Sequence, residues 1–408
     1  MSAEESHRII SSSAEAELLV HCARLEVDPA RAEQIQTLLS SRKVDWTKLL
    51  SLAQRHALIP LLYCQLNRVA AEHVPPDRLR ELRVRYHNNS ALNVLLTGEM
   101  VSLLELFDRN QISAVPYKGP AIGIGIYGDL SLRQFADLDI LVPEADVWKA
   151  TELLTERGYQ AHFNIPARKQ SRFVRLGYVR LFQRDDDPTI VELHWRLAPR
   201  FFGAPFDTGR LWQAARTIQI QGVNVRLPLP EDLILMLSIH GAKDCWEKLE
   251  WVCGLAELVR SERQIDWQSL LKRAADLGCL KIVTLGILLA RDLLEAPIPA
   301  DVIAQLSQSQ TLDSLAGQVV ERFFRDQSHS LTLSQRIRFH LQTKDSRREK
   351  LRYCLRLALT TTPVDWEMMS LPESASFLYF PLRVLRLIKK YGWQSDQLSV
   401  KGGSAGPV

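Results

Sequence analysis

The run Phe135-Ala136-Asp137-Leu138-Asp139-Ile140-Leu141-Val142 constrains this chain most tightly. It reads as a strand stopped by Pro143, and in a strand successive side chains point to opposite faces. Asp137 and Asp139 then share one face, while Leu138 and Ile140 point into a core. Two carboxylates stacked on one face repel each other unless a cation lies between them. Hard oxygen ligands in that arrangement suit Mg²⁺, which keeps some waters and also takes phosphate oxygens. The motif is short, so a polar strand end carrying two solvated acids stands beside the metal reading until the neighbours are weighed.

At 408 residues the chain has room for two or three domains, each with a sizeable core. Its 24% charged and 46% apolar residues are ordinary for a soluble globular protein. The formal net charge of +4 is unevenly placed: residues 331–400 hold 12 Lys/Arg against 6 Asp/Glu. That basic region is either a solvated face or an attraction for phosphate, nucleic acid or an anionic membrane. The 6 cysteines are scattered without zinc or redox spacing, which reads as free thiols in a reducing compartment. Residues 1–13 carry no signal-peptide pattern, and no uncharged apolar run reaches the ~18 residues of a membrane span. The expectation is a cytoplasmic protein without a transmembrane segment.

Along the chain the hydrophobic period changes twice. Residues 1–110 read as an N-terminal helical region, with stripes at Leu18, Leu19, Cys22 and Leu25 and at Leu49, Leu50, Ala53 and Ala57. They end in a long helix over 77–109 whose apolar face takes Leu92, Leu95, Leu96, Leu103 and Leu106. Residues 111–229 read as a mixed α/β unit. Strands are expected at 113–117, 138–142, 178–183 and 189–195, with a hairpin turning at Gln221-Gly222. A helix over 148–157 closes at Gly158. Residues 230–330 are helical again, and 331–408 form a basic C-terminal region with a Gly/Ser-rich tail. Val44-Asp45-Trp46 and Ile265-Asp266-Trp267 each open an apolar helical run with a capping aspartate, and Val364-Asp365-Trp366 echoes them. These read as three local helix starts, or as two related helical modules flanking the α/β unit. Residues 377–391 interleave leucines with Arg383, Arg386, Lys389 and Lys390. The pattern fits a core-packed helix or weak contact with a membrane or protein.

A third acid strengthens the first two. In the strand Thr189-Ile190-Val191-Glu192-Leu193-His194-Trp195, Glu192 and His194 share a face. Set beside Asp137 and Asp139, Glu192 would complete three converging carboxylates; on an edge strand it would simply face water. The turn Lys118-Gly119 lies between a strand and a helix start, where backbone amides and an ammonium favour an anion.

In this combination the chain resembles the uncharacterised nucleotidyltransferase family, within the DNA polymerase β-like nucleotidyltransferase superfamily. The matching residues are Lys118-Gly119, Tyr127-Gly128-Asp129, Arg133, Asp137 to Val142, Gly158-Tyr159 and Glu192 to Trp195. His240 to Lys243, Trp246, Leu249, Trp251 and Ile265 to Trp267 extend the match. The resemblance implies an α+β fold: a nucleotidyltransferase-type mixed sheet with helices, flanked by N-terminal and C-terminal helical regions. It implies catalytic Mg²⁺ on Asp137, Asp139 and Glu192, an NTP as substrate and transfer of a nucleoside monophosphate to an acceptor hydroxyl. The acceptor stays open between a small molecule, a protein and an RNA end. Lys118, Gly119, Arg133, His194 and Lys243 are the candidates for holding phosphate. Two departures point to the alternative of a catalytically silent nucleotide-binding scaffold. Pro120 replaces a small residue after the turn glycine, and Gly254 stands where the family usually carries an aspartate.

Overall fold

The computed structural model describes residues 8–360 apart from 186, 204, 205, 207, 263, 307, 308 and 326–330. The echo at Val364 to Trp366, the interleaved segment 377–391 and the tail all lie outside them. The chain opens with α1 (Ala14–Cys22), α2 (Pro29–Ser41), α3 (Trp46–Arg55), α4 (Ile59–Val69) and the long α5 (Pro76–Arg109). Asp45 does cap α3, accepting the Thr47 and Lys48 amides. A mixed unit follows: β1 (Val115–Pro116), α6 (Pro120–Gly125), β2 (Asp137–Leu141), α7 (Val147–Glu156), β3 (Gln160–Ala161), α8 (Gln170–Leu176), β4 (Val179–Arg184) and β5 (Asp187–His194). After α9 (Thr208–Gln213), strands β6 (Ala215–Ile220) and β7 (Val223–Pro228) form a hairpin whose turn residues Gln221 and Gly222 both take positive φ. The rest is helical: α10 (Pro230–Lys243), α11 (Leu249–Ser261), α12 (Trp267–Asp276), α13 (Leu280–Leu294), α14 (Ala300–Leu306), α15 (Gln310–Phe324), α16 (Leu333–Gln342) and α17 (Arg347–Leu359). Asp266 caps α12 through the Ser269 amide.

The sheet has the order β1-β2-β5-β4-β3, and its central pair, β2 and β5, is parallel. Leu138, Ile140, Val191 and Leu193 bury one face of that pair against α5 and α7. The opposite face, which carries the acids, looks toward the helices. Those helices form one body. Leu18, Leu19, Leu49, Leu50 and Leu62 from the beginning of the chain share a core with Ile234, Leu235, Val252, Leu255 and Leu285 from beyond the sheet. Hydrogen bonds stitch the two parts: Cys253 Sγ donates to the Ala23 carbonyl at 3.1 Å, and Arg24 donates to that of Leu294 at 3.4 Å.

Two expectations need correction. On α5, Leu96 and Leu103 are buried as expected, but Leu95 is 72% exposed and Leu92 is 39% exposed. Polar anchoring sets the phase of this helix. The Asn93 side chain donates to the carbonyls of Leu130 and Arg133, and Asn89, one turn earlier, donates to Arg133 as well. Buried carbonyls demand partners, so asparagine takes the inward position and Leu95 rotates out. By length and composition α5 could also cross a membrane; its inner face is shared between the sheet and the helical body. The second correction concerns Trp246. The stretch expected to be helical from residue 230 is broken here: α10 ends at Lys243 and α11 begins at Leu249, because Cys245 and Trp246 both take positive φ in the bend between them.

Candidate functional site

Parallel pairing sets Asp139 directly opposite Glu192 and Leu141 opposite His194. Strand alternation therefore gathers Asp137, Asp139, Glu192 and His194 on one face. Asp139 is only 2% exposed. Its Oδ1 takes two partners, the Lys118 ammonium with Nζ at 2.6 Å and His194 Nε2 at 3.0 Å. The same His194 nitrogen lies 3.0 Å from Glu192 Oε2, so the imidazole bridges the two acids. Ligand atoms of Asp139, Glu192 and His194 fall within 4.8 Å of one another. Asp139 Oδ2 is buried without a hydrogen-bond partner. A buried carboxylate oxygen left bare is costly, and a cation would relieve it.

The charges interact strongly. Burial alone would raise Asp139, but the Lys118 ammonium and the His194 hydrogen bond hold it well below the usual carboxylate range. Burial, reinforced by the neighbouring Asp139, pushes Asp137 up to about 6. Burial would lower His194; hydrogen bonds to Asp139 and Glu192 outweigh it and raise the ring. The site thus stores negative charge that Lys118 and His194 partly neutralise.

Lys118 reaches Asp139 from the turn after β1. Gly119 shapes that turn with φ +54°, and a Cβ there would lie 3.2 Å from the Asp137 carbonyl oxygen. Pro120 has no N–H, and the Ala121 amide bonds the Lys118 carbonyl at 3.2 Å. What the turn presents to an anion is therefore chiefly the ammonium. Lys243, in the last turn of α10, stands at the Tyr178 wall, with Nζ 5.3 Å from the Tyr178 ring centre and 3.4 Å from Asp244. Burial would lower Lys243, yet Tyr178, Asp244 and Glu192 raise it.

Arg133 has a different post from the phosphate contact expected of it. Only 7% exposed, it meets Glu250 of α11 at 2.6 Å and donates to the Gly119 carbonyl at 3.1 Å. It braces the turn against the helical body. Gly254 lies one turn beyond Glu250, and among the described residues no atom outside its own stretch of helix comes within 4 Å of where a Cβ would stand.

Sequence reasoning missed the aromatic walls. Tyr117 packs edge-on against His194 at 5.4 Å between centroids, and Tyr178 lies 6.1 Å from the same ring. It also missed Glu250, and Asn89 with Asn93, which fix the loop carrying Arg133. Two asparagines four residues apart in an apolar helix were the available signal for the latter pair.

The model of a family described as uncharacterised nucleotidyltransferase matches residues 42–295. No curated protein and no solved structure matches the chain.

Proposed function

This chain belongs to the uncharacterised nucleotidyltransferase family, and from that premise we propose that it moves a nucleoside monophosphate from an NTP to an acceptor hydroxyl with Mg²⁺. The observation that carries the reading is Asp139. It is buried between Lys118 and His194, faces Glu192 across the strand pair and keeps one oxygen bare. The donor set fits a hard divalent ion, with Asp137, Asp139 and Glu192 as its oxygen ligands. When bound, such an ion neutralises triphosphate charge, activates the acceptor oxygen and stabilises the departing pyrophosphate.

The protein's own groups do the rest. Lys118 and Lys243 flank the acids and hold phosphate oxygens as point charges. His194 fixes the spacing of Asp139 and Glu192 through two hydrogen bonds from one nitrogen. Tyr117 and Tyr178 wall the acids, excluding water and strengthening each charge interaction. Arg133 acts at one remove by holding the Gly119 carbonyl. The free cysteines suit a reducing compartment such as the cytoplasm.

Incubation of the purified protein with labelled NTPs and cell extract tests this directly. Labelled product should require Mg²⁺ and vanish with Asp139→Ala; equal product from that variant would refute the assignment. A scaffold reading draws on Pro120 and Gly254. It predicts NTP binding by calorimetry with no pyrophosphate release across a broad acceptor panel.

A further inference from the structure

Beyond the carboxylate cluster lies a second concavity of about 430 Å³ that the transfer reading does not use. Residues 195–203, just past β5, form one wall, Lys344 and α17 form another, and residues 275–278 at the end of α12 close it. The size suits a small-molecule ligand. Phe201, Phe202, Phe206 and Tyr353 give it apolar walls, while Lys344, Arg200, Arg352 and Arg356 give it charge.

Lys344 is the telling residue. Its side chain is 3% exposed, with Nζ bonded to the Phe202 carbonyl and 4.1 Å from the Phe202 ring centre. Among the described residues no carboxylate pairs with it, in contrast to Lys118 on Asp139. Burial pulls its pKa down to about 8, against weaker upward pulls from Glu349 and Asp345. Among the described residues Arg200, Arg352 and Arg356 likewise form no salt bridge. Burial lowers Arg356, and Arg352 and Arg200 push it further the same way. Two of the acids in the cavity wall are committed: Glu144 to Arg196 at 2.6 Å, and Glu349 to the Asp345 and Ser346 amides. Amides carry no net charge, so with Glu144 and Arg196 paired off two carboxylates, Glu349 and Asp276, face four cationic side chains.

We propose that this cavity binds a small phosphorylated molecule of nucleotide size, its phosphoryl group on Lys344, Arg352 and Arg356 and its apolar part against Phe201 and Phe206. A phosphate supplies the missing counter-charge with several acceptor oxygens, and arginine pairs with it through parallel hydrogen bonds. The cavity also touches the carboxylate site. His340 donates from Nε2 to the Lys243 carbonyl at 3.0 Å, and its Nδ1 receives the Tyr353 hydroxyl at 3.0 Å. Occupancy therefore bears on the helix end that presents Lys243 to Glu192. The site stands whether or not the carboxylate cluster transfers nucleotide.

Calorimetry with AMP in EDTA tests it, since chelation keeps divalent ions from the carboxylates. Wild type should bind AMP, and adenosine at least about tenfold more weakly, each tenfold step matching the contribution of one charged hydrogen bond. The double variant Arg352→Gln/Arg356→Gln, altered at or near the surface, should weaken AMP about tenfold or more. Asp139→Asn should leave AMP binding unchanged. AMP affinity should also fall as pH rises past about 8, because Lys344 then loses its proton. Four results would each overturn the site: no AMP binding at millimolar concentration, equal binding of adenosine, no effect of the double variant, or loss of binding in Asp139→Asn.

Discussion

Replacing Arg133 by methionine separates a brace from a phosphate ligand. The guanidinium lies 2.6 Å from Glu250, with side chains 8% and 5% exposed, and also satisfies the Gly119 carbonyl at 3.1 Å. Its removal strands a carboxylate in the interior. Breaking a buried pair from one side costs about 3–5 kcal/mol, a large part of a stability of about 5–15 kcal/mol. Losing both charges to apolar side chains of similar volume is often close to neutral. The double variant Arg133→Met/Glu250→Met should therefore recover most of the loss, giving a coupling of at least about 3 kcal/mol in the mutant cycle. Urea unfolding followed by far-UV circular dichroism measures all four corners, with the slope unchanged if only stability moves. Nucleotide KM, determined alongside, supplies the second axis. A single variant that loses under about 1 kcal/mol while its KM rises tenfold would show that Arg133 touches phosphate, and the bracing argument would fail.

Other outcomes follow from the same geometry. His56 donates to the Phe323 carbonyl and accepts the Leu249 amide, and burial lowers its pKa to about 4. Because the folded value lies below the unfolded one near 6.5, its contribution is complete above pH 6.5 and is lost as pH falls toward 4. The cost is about 3 kcal/mol, so His56→Gln should flatten that part of a stability–pH curve; an unchanged slope would contradict it. Gly254→Ala should stabilise by ~0.5–1 kcal/mol, since the position is helical with open space around a Cβ. Gly241→Ala should destabilise by ~1–3 kcal/mol, because its Cβ would meet the buried Trp246 ring at 2.7 Å. Thermal melts of the pair check both signs. Lys118→Met should remove nucleotide transfer and also lower stability, since it deletes the ammonium against the buried Asp139 and leaves His194 beside it; full activity would strike it from the site.

The sequence made the central strand pair readable because side-chain alternation is local. It put Asp137 with Asp139 and Glu192 with His194, and their register then required only that the two strands be neighbours. Capping by Asp45 and Asp266 was legible for the same reason. What escaped depends on residues far apart in the chain. The outward turn of Leu95 reflects carbonyls near residue 130, and the commitment of Arg133 reflects an acid on α11. The cavity around Lys344 joins segments that have no sequence relation. No local pattern marks a lysine as buried with no carboxylate partner among the described residues.

The union of the first helices with the last has a consequence for synthesis. Helices α1 to α4 leave the ribosome with their apolar faces bare, and their packing partners in α10 to α13 follow only after the whole sheet has been made. Closure at such sequence distance is slow and leaves sticky surface exposed meanwhile. Lys243 rides on α10, so the wall it provides arrives only when that late closure is complete. A half-made chain can assemble the strands bearing Asp139 and Glu192 and still lack a finished cleft, which ties chemical competence to the synthesis of α10 to α13.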